Sequence, residues 1–194
     1  MKKLYWFLFL VSISLHAQLQ WRPLTSMLSN GNNQRFDDVF FLNDNLGWAL
    51  NGAYAAVYKT TDGGITWENQ LSELTTALPG NYYFRNIEFI DENIGFVGTL
   101  NGVFFKTIDG GTTWTKVTNF PTNPPAICGL DAVGTSTIYG CGAYFSPAYI
   151  IKSTDKGETW QYTDMSAYVA ETVKNPFILQ SYQARICYFK YRCR

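Results

Sequence analysis

The sequence predicts an all-β chain, a partial β-propeller of about three four-stranded antiparallel blades, and reads as a fragment of a longer closed ring. Three observations carry that expectation. An octapeptide recurs as Thr60-Thr61-Asp62-Gly63-Gly64-Ile65-Thr66-Trp67, Thr107-Ile108-Asp109-Gly110-Gly111-Thr112-Thr113-Trp114 and Ser153-Thr154-Asp155-Lys156-Gly157-Glu158-Thr159-Trp160. Its aspartates stand 47 and 46 residues apart, which is the length of four short strands with their turns. A second pattern repeats in phase: Phe41-Leu42-Asn43-Asp44-Asn45-Leu46-Gly47-Trp48 matches Phe89-Ile90-Asp91-Glu92-Asn93-Ile94-Gly95-Phe96, with an outline left in Leu130 to Tyr139.

Each unit resolves into elements in order. Val39 to Leu42 and Ile87 to Ile90 are read as strand one, followed by a turn on Asp44-Asn45 or Glu92-Asn93. Gly47 to Leu50 and Gly95 to Gly98 form strand two, and Val57 to Thr60, Val103 to Thr107 and Tyr149 to Ser153 form strand three. The octapeptide is the turn into strand four, which carries the Trp. The blades then occupy about 36–70, 84–117 and 126–163 of a propeller region spanning 18–170.

The octapeptide has a mechanical role. Asp62, Asp109 and Asp155 are suited to accept hydrogen bonds from N–H groups of their own turns, and Gly64, Gly111 and Gly157 can take the positive φ such turns require. Thr66, Thr113 and Thr159 complete the motif, and Trp67, Trp114 and Trp160 supply apolar plates for the gaps between blades. A single Asp per turn lacks both the paired carboxylate of a glycosidase and the alternating ligand run of a calcium loop.

These residues resemble the Asp-box, or BNR, repeat. The longer unit, with Asn-x-Gly-Phe/Trp ahead of Thr-x-Asp-Gly-Gly-x-Thr-Trp, is similar to secreted propellers related to photosystem II stability and assembly factors. The resemblance covers about residues 18 to 163 and implies the propeller fold, with structural boxes lying away from any ligand site. Sialidases, xyloglucanases and sortilin-type receptors share the box, so the resemblance implies no one activity.

Composition narrows the function. The chain is 46% apolar with 15% charged residues, which argues against disorder, and no run of 18 apolar residues could span a membrane. Formal charge is balanced, so nothing points to nucleic acid. The one histidine, His16, lies in a leader pattern: Lys2 and Lys3, an apolar stretch from Leu4 to Leu15, and Ala17 at the cleavage position. Residues 1–17 are therefore read as a Sec signal peptide, and the mature chain as secreted, periplasmic or displayed on a cell surface. Without a mature histidine, Ser-His-Asp and Cys-His chemistry and His-ligated metal sites are excluded, and no metal or cofactor is expected.

Residues 171–194 depart from the pattern. They hold five basic residues against Glu171 alone, whereas residues 18–170 hold eight basic against fourteen acidic. The two accounts are a basic tail for an anionic surface and a truncated or frame-shifted reading of a longer propeller gene. The second is favoured because the break falls where a fourth unit is due. Gln20-Trp21-Arg22-Pro23-Leu24 reads as the fourth strand of a blade whose other strands are not upstream. Three blades in an arc would leave two apolar faces open to self-association.

Cys128 and Cys141 flank a hairpin turn near Gly134-Thr135. A two-residue turn would set them face to face for a disulfide, and a three-residue turn would point them to opposite sides of the sheet. Cys187 and Cys193 fall in the atypical tail.

Strand direction puts the Asp boxes on one rim and the longer, aromatic loops on the other. Tyr54, Tyr82, Tyr83, Arg85, Tyr144 and Phe145 on that second rim are candidate contacts for a protein or polysaccharide partner, although strand packing is the favoured reading, with Tyr82 and Tyr83 beginning the next strand. The leading expectation is a non-catalytic binding scaffold. The alternative is the N-terminal part of an Asp-box glycoside hydrolase, for which Asp37 with Asp38, or Glu73 with Glu88, are the acidic groups to test. A third reading is a gene fragment without independent activity.

Overall fold

The computed structural model describes residues 35–70, 82–142 and 148–166. Among these residues twelve strands form three antiparallel sheets, each a meander. Blade one comprises β1 (Asp38–Phe41), β2 (Gly47–Asn51), β3 (Ala56–Thr60) and β4 (Glu68–Asn69). Blade two comprises β5 (Phe84–Phe89), β6 (Gly95–Thr99), β7 (Phe104–Thr107) and β8 (Thr115–Lys116). Blade three comprises β9 (Gly129–Val133), β10 (Thr137–Cys141), β11 (Tyr149–Ser153) and β12 (Gln161–Asp164). The chain is all-β, and its blades are those of a partial β-propeller. The leader, Trp21, Glu73, Tyr144, Phe145 and the basic tail lie outside the described residues. Among the described residues no helix is long and apolar enough to cross a membrane.

The inner strands are buried on both faces, as radial stacking requires: every residue of β2 and of β6 is buried. Between blades one and two lies an apolar layer of Phe40, Trp48, Leu50 and Val57 against Ile87, Phe89, Val97, Phe105 and Trp114. Trp48 stacks on Phe89 with ring centroids 3.5 Å apart and planes 9° apart. Between blades two and three, Phe96 and Phe104 meet Trp160 edge-on, at 5.9 and 5.2 Å, beside Ile138 and Ile151. The glycine of the second repeat pattern makes the first layer possible. A Cβ on Gly95 would lie 2.4 Å from the Phe89 ring, and one on Gly47 would lie 2.6 Å from the Phe41 ring.

The three Asp boxes share one hydrogen-bond scheme. Asp62 Oδ1 accepts from Thr66 N at 2.8 Å and from Thr60 Oγ1 at 2.8 Å, while Oδ2 accepts from Thr66 Oγ1 at 2.6 Å. Thr60 Oγ1 in turn accepts from Gly64 N at 2.8 Å. Thr107, Asp109, Gly111 and Thr113 repeat this, as do Ser153, Asp155, Gly157 and Thr159. Gly64, Gly111 and Gly157 have φ of 88°, 94° and 79°. The residue before them also turns left-handed, and in blade three it is Lys156, at φ 59°. The hydroxyl two residues before each Asp is thus a second hub, one that turn chemistry centred on the Asp does not reveal.

The two repeat patterns stay in phase because they touch. Gly63 N donates to Asn45 O and Gly110 N to Asn93 O, both at 2.9 Å, clipping the β1–β2 and β5–β6 turns to the box of the same blade. Asn43 and Asp91 cap those turns by accepting from the amides two and three residues on. Strand four begins one residue after each Trp, so the indole belongs to the turn. Trp67 and Trp114 donate their ring N–H to Gly64 O and Gly111 O, both at 3.0 Å. The Trp160 ring N–H is buried and finds no acceptor among the described residues.

The hairpin between β9 and β10 brings Cys128 and Cys141 onto neighbouring strand ends. Val133 pairs with Thr137 across a three-residue turn and Cys141 pairs with Gly129, while Cys128 N donates to Cys141 O at 2.8 Å. A Cβ on Gly142 would fall 2.7 Å from that of Cys128. No disulfide joins Cys128 and Cys141 in this structure.

Candidate functional site

On the rim away from the Asp boxes, the entrances to β1 and β5 converge on one carboxylate. Asp37 has a side chain 1% exposed, yet it stands between two arginines that reach solvent, Arg35 at 70% and Arg85 at 37% exposed. Arg35 Nε donates to Asp37 Oδ1 at 3.1 Å, and an Arg85 guanidinium nitrogen approaches the same oxygen at 3.4 Å. Tyr83 Oη donates to Oδ1 at 3.3 Å, and Gly52 N to Oδ2 at 2.9 Å. The hydrogen bond and charge of Asp37 raise the Arg35 pKa further above its ordinary value.

Local folding puts these groups there. Arg85 is the extra residue of a bulge, since Phe84 pairs with Thr99 and Asn86 with Gly98. A bulge re-aims a side chain, and this one turns Arg85 toward blade one. Asp37 is held by its amide on Leu50 O, and the preceding Arg35 O accepts from Asn51 Nδ2 at 2.8 Å. Gly52 has to be glycine, because a Cβ there would lie 2.5 Å from Asp37 Oδ2 and from the Tyr83 ring. One buried carboxylate facing two guanidinium groups leaves positive charge on this rim, pre-oriented for an acceptor-rich partner.

The other candidates separate. Tyr54 is 43% exposed on the same rim. Tyr82 turns inward and meets the Phe105 ring edge-on at 5.2 Å. Asp38 Oδ2 accepts from Ile87 N at 3.0 Å and Glu88 Oε1 from Ala132 N at 3.2 Å, each tying its blade to the following one. Asn86 does the same by donating to Ile127 O at 2.8 Å. Among the described residues no three His, Cys, Asp or Glu side chains gather to hold a metal ion. Arg35 and the organising role of Asp37 escape sequence reasoning. Their signal is the repeat register itself, which places Asp37 and Arg85 at equivalent positions 48 residues apart.

With this geometry in view, the sequence matches the family model of the photosynthesis system II assembly factor YCF48 over residues 14–176. The chain belongs to the YCF48 family. It is 27% identical over 127 residues to a photosystem II assembly lipoprotein Ycf48 of Synechococcus sp. (strain CC9902), covering 64% of this chain and 35% of that protein. A solved structure of YCF48 bound to D1 peptide aligns with a TM-score of 0.55 at 26% identity, over 66% of this chain and 40% of that one. A xyloglucanase of Paenibacillus sp. is 31% identical over 138 residues, which is 54% of this chain and 13% of the enzyme. The chain thus spans well under half the length of the YCF48 proteins it matches.

Proposed function

We propose that this member of the YCF48 family is an extracytoplasmic, non-catalytic propeller module with an assembly-factor-like role, holding a peptide segment of a protein partner on the rim of Arg35, Tyr83 and Arg85. The observation that carries the reading is the buried Asp37 orienting two solvent-reaching arginines. Exposed guanidinium groups held in place lose little entropy on binding and favour carboxylate and carbonyl acceptors. The solved YCF48 relative bound to D1 peptide supports a peptide as the ligand class. The test is fluorescence anisotropy with a labelled D1 peptide. Arg35→Ala and Arg85→Ala should each weaken binding about tenfold, the loss of one charge-assisted contact. Unchanged affinity in the double variant, with the melting temperature retained, would remove this rim from the function.

A second reading, a polysaccharide-binding or glycan-cleaving relative, is favoured by the match to the xyloglucanase and by exposed Tyr54. Asp37, Asp38 and Glu88 are all engaged as structural acceptors. Xyloglucan turnover abolished by Asp37→Asn or Asp38→Asn would put that reading first.

A further inference from the structure

The turns after β2 and β6, on the rim away from the Asp boxes, each contain an Asn-Gly pair: Asn51-Gly52 in blade one and Asn101-Gly102 in blade two. An asparagine before glycine can react with its own backbone. The glycine amide nitrogen attacks the side-chain carbonyl carbon, and no Cβ shields that nitrogen. The reaction needs an amide nitrogen that is not already hydrogen-bonded and a side-chain amide that can turn toward it.

In blade one every group is engaged. Asn51 is fully buried, its Oδ1 accepts from Tyr54 N at 2.9 Å and its Nδ2 donates to Arg35 O at 2.8 Å. The nucleophile is engaged too, since Gly52 N donates to Asp37 Oδ2 at 2.9 Å. In blade two the pair is built differently. Asn101 is exposed, and its Oδ1 accepts from Tyr83 N at 2.7 Å. Among the described residues Asn101 Nδ2 has no acceptor and Gly102 N makes no hydrogen bond. The Tyr83 amide draws electron density from the carbonyl and is in place to stabilise the oxyanion that attack would create.

The fold requires both residues of the blade-two pair. Gly102 has φ of 69°, and a Cβ on it would lie 2.9 Å from Pro124 O and 3.1 Å from Pro125 O. Asn101 holds the backbone of Tyr83, whose hydroxyl reaches Asp37.

We propose that Asn101 is a site of self-modification, converted to aspartate and isoaspartate in the folded protein while Asn51 is spared, and that the change weakens the arginine rim. Gly102 N bonds to Asn101 Cγ, the Cγ–Nδ2 bond breaks, and ammonia leaves carrying the glycine amide proton. Water then adds to either carbonyl of the five-membered ring and opens it to a carboxylate. The two arginines and Asp37 give the rim a formal charge of plus one, which the new carboxylate cancels. Arg85 follows Tyr83 by two residues, about 7 Å along a strand and inside the Debye length of about 10 Å at 0.1 M salt. The modification stands on the turn alone; its effect on binding rests on the rim being the partner surface.

Peptide mapping by mass spectrometry, on folded chain aged in mildly alkaline buffer made with heavy-oxygen water, tests the first step. Label should enter at Asn101 about tenfold faster than at Asn51, because releasing Gly52 N from a carboxylate costs a charge-assisted hydrogen bond. In denaturant the two sites should react at similar rates. Equal rates in the folded chain, or an Asn101 that reacts only when unfolded, would overturn the site. Asn101→Asp tests the second step, since it keeps an acceptor for Tyr83 N. It should bind labelled D1 peptide about threefold more weakly at low salt, with a smaller loss at high salt. Unchanged affinity in Asn101→Asp, where Arg35→Ala binds more weakly, would overturn the effect on the rim. Unchanged affinity in the arginine variants as well would overturn the rim reading and this effect together, while the modification is decided by the mass map.

Discussion

At the scale of single residues, the rim opposite the Asp boxes depends on an absent side chain. Gly52 donates its amide to Asp37 Oδ2, and its Cα leaves no room for a methyl group beside Phe84 O, Asp37 and the Tyr83 ring. Gly52→Ala should therefore displace the carboxylate that orients both arginines, and cost about 1 to 3 kcal/mol of stability from overpacking and a lost buried hydrogen bond. Thermal unfolding reads the cost, and peptide affinity reads the displacement. This cluster shows where sequence reading stops. Tyr83 and Arg85 are visible as an aromatic-basic pair, but Arg35, Asp37 and Gly52 come from other elements, and only the bulge at Arg85 brings them together. Tyr82 and Tyr83 are adjacent in sequence and alike in chemistry, yet one packs on Phe105 and the other meets Asp37. Strand phase at the entrance of β5 separates them, and composition carries no such phase.

At the scale of the element, each Asp box is a self-contained turn whose carboxylate takes up its own amide and hydroxyl donors. Hydrogen bonds from the Thr66 hydroxyl and amide hold the Asp62 carboxyl down at about 2. Thr159 holds Asp155 below the ordinary carboxylate range in the same way. At Asp109 desolvation pushes upward, and the bonds from Thr113 and Thr107 outweigh it. A carboxyl whose folded pKa is depressed adds stability that is complete above its unfolded value and is lost as pH falls through the folded value. The melting temperature should accordingly fall as pH drops from about 4 to about 2. Asp62→Asn should be less stable at neutral pH and show a shallower acid limb, and a limb of unchanged slope would take Asp62 out of the acid response. The box and its period were the most legible part of this chain, because a turn fixed by contacts within eight residues leaves its chemistry in consecutive letters. The β9–β10 turn was the opposite case: one residue more or less there shifts the register of the hairpin, and Gly134-Thr135 fits either length.

At the scale of the whole molecule, the blades hold together through layers that only neighbours share. Trp48 is fully buried, stacks on Phe89 and bonds to Gly110 O in the adjoining blade. Trp48→Ala should cost about 3 to 5 kcal/mol. In a repeat array the loss falls on one interface, so blade one should unfold ahead of blades two and three. Hydrogen exchange resolved by segment would show β1 to β3 exchanging early, and uniform loss of protection across all three blades would contradict it. The propeller class was readable from the repeat period and the strand count per unit. Which rings meet across each gap was not, because that follows from register across three strands.

The spacing between blades also sets a curvature. Blades one and two approach until an indole and a phenyl ring lie flat on each other, and the missing Cβ of Gly95 leaves room for the phenyl ring. Blades two and three meet through an indole standing edge-on to two phenyl rings. Ring thickness and tilt therefore bear on how closely two blades approach, and one aromatic can be exchanged at a gap while every strand keeps its partners. A chain of identical blades could in this way be drawn into arcs of different radius without any change in its backbone plan.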